Sequence, residues 1–137
     1  MDSYDAVLKG LQRRKFSPNA MKQCGLFIDT EKGYIDRFRN RVMFDICNIR
    51  AEAIAFAGRT FNNEDTAKYM NSPETKIYNK SKVLYGLQIT KNDISKLDSA
   101  IIVEGYFDFL QLFQSGIHNI VAVSGTATRL DLSKTYL

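Results

Sequence analysis

The sequence predicts an α+β N-terminal subdomain, made of short helices and an antiparallel sheet, joined to a partial α/β unit of the Rossmann-like βαβ type. Three observations predict this order. Apolar residues follow a helical period over residues 2–14, and a period of two begins near residue 26. Two continuous apolar runs, 99–103 and 119–123, then flank a helical segment. We place the two parts at residues 1–97 and 98–137.

Local signals define the elements of the first part. Ser17 and Pro18 are typical of an N-cap and the first position of a second helix, which Gly25 is expected to end. Strands are then predicted at residues 26–28, 34–38, 42–47 and 53–56. The polar residues 60–82 predict a long loop with short ordered pieces, and residues 82–97 are expected to be partly helical.

Three arginines occupy alternate positions in the segment 36–41, namely Arg37, Arg39 and Arg41. Alternate side chains of a strand point to the same face, so the spacing predicts three guanidinium groups along one side of a sheet. Such a face suits phosphate binding. A solvated strand face whose charges protect a sheet edge explains the same pattern.

Carboxylates mark the end of the first apolar run in the second part. Residues 99–103 predict a strand buried on both faces, residues 108–115 a helix, and residues 119–123 a parallel partner strand. Glu104 follows the first strand and Asp108 begins the helix. Ligands of open α/β sheets bind beyond the carboxyl ends of the strands, so these acids are candidates for a functional site. A carboxylate that only complements the helix dipole is the alternative.

Composition narrows the classes of function. The net charge of +4 permits a nucleic-acid partner without requiring one. The two cysteines, Cys24 and Cys47, lack the spacing of a zinc site, so none is expected here. No apolar run approaches the roughly 20 residues that a membrane span needs, and the first residues do not resemble a signal peptide. We therefore expect a cytoplasmic protein without a membrane partner.

Several segments, in order, resemble the polymerase core of bacterial DnaG-type DNA primases. The segment Lys68-Tyr69-Met70-Asn71-Ser72-Pro73-Glu74-Thr75 is highly specific to that family, whereas Glu104-Gly105-Tyr106-Phe107-Asp108 recurs in other proteins with a TOPRIM fold. The other similar segments are 36–44, 56–59, 84–87 and 125–126. The resemblance implies that residues 98–137 are the first part of a TOPRIM domain, truncated at residue 137.

The resemblance also implies an activity and its participants. Primases of this family synthesise short RNA primers from ribonucleoside triphosphates on a single-stranded DNA template during DNA replication. Their TOPRIM carboxylates hold Mg²⁺ or Mn²⁺, ions that prefer oxygen ligands. By resemblance, Glu104 is the catalytic and metal-binding acid and Asp108 assists it.

Basic and polar residues receive their roles in the same way. The implied nucleotide-binding residues are Lys68, Tyr69, Asn71, Lys80 and Tyr106. The implied template-binding residues are Arg37, Arg39, Arg41 and Arg59. For Tyr69 and Tyr106, packing inside the fold explains the residue as well as stacking on a base does.

The sequence departs from the family pattern in ways that affect activity. The family has an Asp-x-Asp pair after its third TOPRIM strand, and these 137 residues do not contain it. One or two carboxylates bind a divalent cation weakly, so we expect this fragment to be inactive alone. The replicative helicase would bind through a region that is absent here. Ala57 and Ser81 stand where the family usually has glycine. A non-catalytic fragment that binds single-stranded DNA, or another TOPRIM enzyme such as a topoisomerase or nuclease, remains the alternative.

Overall fold

A computed structural model describes residues 4–62 and 67–123. The helices are α1 (Ala6–Arg13), α2 (Pro18–Gln23), α3 (Leu87–Leu97) and α4 (Tyr106–Gln114), with a 3-10 turn at Lys80–Lys82. The strands are β1 (Phe27–Thr30), β2 (Gly33–Asp36), β3 (Arg41–Cys47), β4 (Ala53–Thr60), β5 (Tyr69–Asn71), β6 (Leu84–Tyr85), β7 (Ile101–Val103) and β8 (Ile120–Val123). Among the described residues, no helix is long and apolar enough to cross a membrane.

The strands of the described residues form three sheets, in the orders β1-β2, β3-β4-β5 and β6-β8-β7. The chain divides into two compact units, one of residues 1–45 and 55–77 and the other of residues 46–54 and 78–137. The predicted combination of short helices, antiparallel sheet and a βαβ unit is confirmed. The second unit takes in residues 46–54 and 78–97, which we had assigned to the first part.

The N-terminus of the first helix is capped by a side chain from a distant strand. Asp36, which is buried at the end of β2, accepts hydrogen bonds from the backbone N–H groups of Val7 (2.7 Å) and Leu8 (3.0 Å) at the start of α1. These N–H groups lack partners within the helix, so the carboxylate satisfies them and complements the helix dipole. The helix α2 has a local cap, because Ser17 Oγ accepts a hydrogen bond from Ala20 N at 3.1 Å, as the sequence predicts.

The second strand is shorter than predicted. β1 and β2 pair antiparallel, with Phe27 opposite Asp36 and Thr30 opposite Gly33. The prediction extended this strand to residue 38, but β2 ends at Asp36 and residues 37–40 form the connection to β3. Asn40 has a φ of +50°, which interrupts the extended backbone just before Arg41.

Side-chain hydrogen bonds close the turn between β3 and β4. Asn48 Oδ1 accepts from the backbone N–H groups of Arg50 (2.9 Å) and Glu52 (3.1 Å). The hydrogen bond that Asn48 donates to the Glu52 carboxylate, together with hydrogen bonding and charge from Arg50, lowers the pKa of Glu52. Ala51 takes the positive φ, +64°, that a glycine adopts without strain, and the hydrogen bonds to Asn48 hold the turn in that conformation.

Residues 67–82 contain the short ordered pieces that the sequence predicts within a long loop. Tyr69–Asn71 forms β5 and pairs antiparallel with β4, with Arg59 opposite Tyr69 and Ala57 opposite Asn71. The short strand β6 was not predicted. It precedes Gly86, which has a φ of +85° and so is not helical. The helix α3 starts at the next residue, Leu87.

The βαβ unit confirms the parallel pairing but not the burial of its first strand. β7 and β8 are parallel, with Ile101 opposite Ile120 and Val103 opposite Ala122. β8 is central and buried, whereas β7 lies at the edge of the sheet and exposes Ile101 and Ile102. The prediction that residues 99–103 are buried on both faces is therefore wrong for the described sheet. An edge strand has one neighbour, so apolar composition alone does not bury it.

Candidate functional site

The two predicted acids lie on either side of a glycine at the carboxyl end of β7. Glu104 follows the strand directly and is exposed, and Gly105 is the N-cap of α4. Asp108 lies in the first turn of α4. A Cβ atom added to Gly105 would lie only 2.7 Å from Asp108 Oδ2, so the carboxylate of Asp108 occupies the space over this glycine. The absence of a side chain at position 105 therefore allows the acid to fold back toward the end of the strand.

This acidic pair offers oxygen ligands of the kind that Mg²⁺ and Mn²⁺ prefer. Within residues 4–62 and 67–123, no group of three or more His, Cys, Asp or Glu side chains could hold a metal ion. Glu104 and Asp108 are thus chemically suited to such an ion, and a complete coordination shell requires oxygen atoms in addition to theirs. Residues 125–126, which resemble the family in sequence, lie outside the described residues.

A cationic and aromatic surface lies on the antiparallel pair of β4 and β5. Arg59 and Tyr69 are opposite each other, and the Arg59 guanidinium lies over the Tyr69 ring, 5.6 Å from its centroid. Both side chains are exposed, and so is the neighbouring Lys68. Asn71 belongs to the same strand as Tyr69 and, two residues along, to the same face. Four of the predicted binding residues are therefore together on one hairpin.

Arg41 supports this hairpin from the neighbouring strand. Its Nη1 donates a hydrogen bond to Ala67 O at 2.8 Å and makes longer contacts, of 3.4 Å, with Gly58 O and Lys68 O. A Cβ atom at Gly58 would lie 2.9 Å from Phe38 Cδ1 and 3.0 Å from Arg41 Cδ, so the absence of a side chain there leaves room for both residues. Arg41 thereby fixes the backbone that carries Lys68.

The predicted face of three arginines does not form. Arg37 and Arg39 lie in the connection that follows β2, and only Arg41 is in a strand. Arg39 Nη1 donates to Asp36 O at 2.6 Å and its guanidinium lies over the Tyr4 ring at 4.9 Å. Arg37 is half-buried, and its Nε has no hydrogen-bond partner among the described residues. The alternation is lost because Asp36 turns inward to cap α1 and Asn40 breaks the extended backbone.

Two other predicted residues occupy different surroundings. Lys80 begins the 3-10 turn in the second unit, where Asn79 Oδ1 accepts a hydrogen bond from Ser81 N at 3.0 Å. Tyr106 is only 5% exposed, and its ring packs edge-to-face on Tyr85 with the centroids 4.8 Å apart. Of the two roles left open for Tyr106, the structure supports packing, because a buried ring has no free face for a base.

Sequence reasoning missed the residues that position these groups. Gly58 and Gly105 make room for Arg41 and Asp108, and Ser72 ties β5 to β4. Ser72 is buried, its Oγ accepts from Phe56 N at 3.0 Å, and its backbone N–H donates to Phe56 O at 2.8 Å. The only available signal was that each residue stands inside a segment that carries the family resemblance.

Comparison with known proteins agrees with this geometry. Residues 1–91 match the model of the DNA primase catalytic core, N-terminal domain, and residues 98–134 match a Toprim domain model. A DNA primase from Synechocystis sp. is 43% identical over 123 residues, which are 88% of this chain and 19% of that protein. The chain therefore belongs to the DnaG-type DNA primase family.

Solved structures support the same family. The RNA polymerase domain of Mycobacterium tuberculosis primase DnaG has a TM-score of 0.85 and 35% identity, over 91% of this chain and 41% of that one. A DnaG primase catalytic domain bound to ssDNA has a TM-score of 0.78 and 40% identity, over 91% of this chain and 39% of that one. The chain spans about a fifth of the length of the curated relatives it matches.

Proposed function

We propose that this chain is part of a DNA primase, which synthesises short RNA primers from ribonucleoside triphosphates on single-stranded DNA during replication. The observation that carries the proposal is the acidic pair at the end of β7, in which Asp108 is folded over Gly105 beside Glu104. Such a site needs a cation, and Mg²⁺ or Mn²⁺ held there supplies positive charge beside the triphosphate of the nucleotide. Residues 1–97 and 98–137 remain our proposed division into a nucleotide- and template-binding subdomain and the start of the TOPRIM domain.

The side chains of this chain would perform distinct tasks. Glu104 is the proposed metal ligand or general base, and Asp108 assists it. Lys68, Asn71 and Lys80 would bind the nucleotide through its phosphates and sugar, because ammonium and amide groups donate hydrogen bonds to those oxygens. Tyr69, whose ring is exposed and held under a guanidinium, is available to the nucleotide as well.

Arg59 is the leading candidate for contact with the template. It is exposed on the hairpin, whereas Arg41 holds that hairpin in place, so a direct role of Arg41 is secondary. Arg37 and Arg39 are retained as weaker candidates, because both are half-buried beside Asp36. The ssDNA-bound DnaG catalytic domain is similar to this chain and supports single-stranded DNA as the partner.

The alternative is a fragment that binds single-stranded DNA without catalysis. It is favoured by the lack, within the described residues, of a third acid near Glu104 and Asp108. We propose that the whole protein binds the helicase through a region outside this chain. We also propose a cytoplasmic location, because the protein would act in DNA replication. Another TOPRIM enzyme is disfavoured, since the match to the primase core covers residues 1–91.

The experiment that tests the proposal is primer synthesis by the whole protein carrying Glu104→Gln. Glutamine keeps the size of the side chain but removes the charge, so we expect a loss of about 100-fold or more, which corresponds to several kcal/mol of charge stabilisation. Glu31→Gln, an exposed acid in the turn between β1 and β2, is the control and should retain activity. Full primer synthesis by Glu104→Gln would disprove the catalytic assignment.

A further inference from the structure

Phe61 is the most exposed large apolar side chain of the described residues. It is 79% exposed, although burying a phenylalanine normally stabilises a protein. The backbone on both sides of it is held in place. Thr60 N donates to Lys68 O at 3.0 Å, and Asn62 N donates to Thr60 Oγ1 at 3.1 Å. The ring is therefore presented to solvent by a backbone that is already ordered.

The surroundings of Phe61 define what it can bind. Arg59 lies two residues before it, in β4, and Lys68 is opposite the adjacent Thr60 across the hairpin. Tyr69, 46% exposed, presents a second aromatic ring on the same hairpin. The adjacent Thr60 and Asn62 are polar, so Phe61 is flanked along the chain by uncharged polar residues.

Exposed aromatic rings interleaved with cations are the combination that single-stranded nucleic acids require. The cations attract the phosphates, and each unpaired base has a free face that stacks on a ring. In a duplex, both faces of the bases are already stacked within the helix. A ring at the end of a hairpin consequently favours the unpaired strand.

We propose that Phe61 stacks on an unpaired base of single-stranded DNA whose phosphates are contacted by Arg59 and Lys68. The inference rests on the proposed function, because it assumes that this hairpin faces the single strand. It goes beyond that function by assigning base stacking to a specific residue. Stacking of this kind does not depend on the identity of the base, so the contact would not select a sequence.

The test compares Phe61→Ala and Phe61→Tyr in the whole protein, with binding measured by fluorescence anisotropy of a labelled single-stranded oligonucleotide. We expect alanine to weaken binding by about tenfold, within the range known for one stacked base, and tyrosine to bind within about twofold of the wild type. Phe16→Ala is the matched control, since Phe16 is another exposed phenylalanine, at 51%. It should leave the affinity unchanged.

A direct readout of stacking separates this role from a structural one. 2-Aminopurine is placed at successive positions of the oligonucleotide, and its fluorescence is recorded at saturating protein. We expect one position to be quenched by the wild type and by Phe61→Tyr but not by Phe61→Ala. Equal affinity and equal quenching for the wild type and Phe61→Ala would overturn the inference alone. A wild-type protein that does not bind single-stranded DNA would overturn the proposed DNA-binding role itself, and an equal loss with Phe16→Ala would show that position 61 is not special.

Discussion

At the scale of single residues, the acidic site depends on the absence of a Cβ atom at position 105. Gly105 has φ −120° and ψ 150°, which any residue adopts, so its backbone does not require glycine. What requires glycine is the Asp108 carboxylate, whose Oδ2 would be 2.7 Å from a Cβ at this position. The constraint acts on the placement of the acid and not on the fold of the loop.

Gly105→Ala should therefore separate activity from stability. The added methyl group displaces the Asp108 carboxylate, which is exposed and able to rotate away, so we expect the free energy of unfolding to fall by less than about 1 kcal/mol. Primer synthesis by the whole protein should fall by about tenfold or more, because ligand oxygens must be accurately placed. Thermal melting and primer synthesis on the same preparations check both parts.

Gly10→Ala provides the control for this substitution. A Cβ atom at Gly10 has nothing within 4 Å, and this position lies inside α1, where alanine is a better helix former. That variant should keep its activity and gain slightly in stability. An unchanged rate of primer synthesis in Gly105→Ala would mean that the position of Asp108 is unimportant.

At the scale of the elements, the N-terminus of α1 is capped by a residue of β2. Asp5 occupies the N-cap position of α1 but makes no side-chain cap hydrogen bond, and Asp36 supplies the two acceptors from 28 and 29 residues away. The same residue ends β2 and accepts, through its carbonyl, the Arg39 hydrogen bond. One buried carboxylate thus joins a helix, a strand and a loop.

Asp36→Ala should destabilise the N-terminus of α1 in particular. The N–H groups of Val7 and Leu8 lose their acceptors, and removal of a partly buried hydrogen-bonded cap costs about 1–3 kcal/mol. Urea denaturation measures this loss, and faster hydrogen exchange of the Val7 and Leu8 amides localises it. Asp29→Ala, which changes an exposed acid in β1, should leave both unchanged. Equal amide protection in the wild type and Asp36→Ala would contradict the capping role.

At the scale of the whole molecule, the net charge of +4 permits nucleic-acid binding, but specific contacts should come from few cations. Arg59 is exposed on the hairpin, whereas Arg39 and Arg41 are half-buried and donate hydrogen bonds to backbone carbonyls. The number of phosphates contacted should therefore be smaller than the count of arginines in the sequence suggests.

Salt dependence of single-stranded DNA binding tests this view. If Arg59 contacts a phosphate, Arg59→Gln should reduce the slope of log affinity against log salt by about 0.7. Arg50→Gln removes the same charge from the turn between β3 and β4, where Arg50 pairs with Glu52, and should leave the slope unchanged. Equal slopes for Arg59→Gln and the wild type would exclude a phosphate contact, and equal reductions in both variants would attribute binding to overall charge.

Features encoded by neighbouring residues were predictable from sequence. Ser17 caps α2 because its hydroxyl reaches an N–H three residues away, and Gly25 ends that helix with a φ of +72°. The helix α4 and its parallel strands follow from a short run of apolar residues on either side of Glu104 and Gly116. Each of these signals is complete within about a dozen residues.

Features that depend on distant partners were not predictable. β5 exists because Tyr69 pairs with Arg59, and Arg41 leaves the expected arginine face because its acceptor is Ala67. β7 is exposed because the sheet order places it at an edge, which its apolar composition does not reveal. Tyr106 is buried because Tyr85 packs against it from another element.

By itself, the sequence determined the fold class, the family and the identity of the acids that follow a parallel strand, since these depend on residue types at short spacing. Tertiary structure alone decided which cations remain available and which aromatic rings are exposed. The physical reason is that a charged or aromatic side chain takes its role from the groups it contacts, and in the described residues those groups lie as far as 42 residues away in the chain.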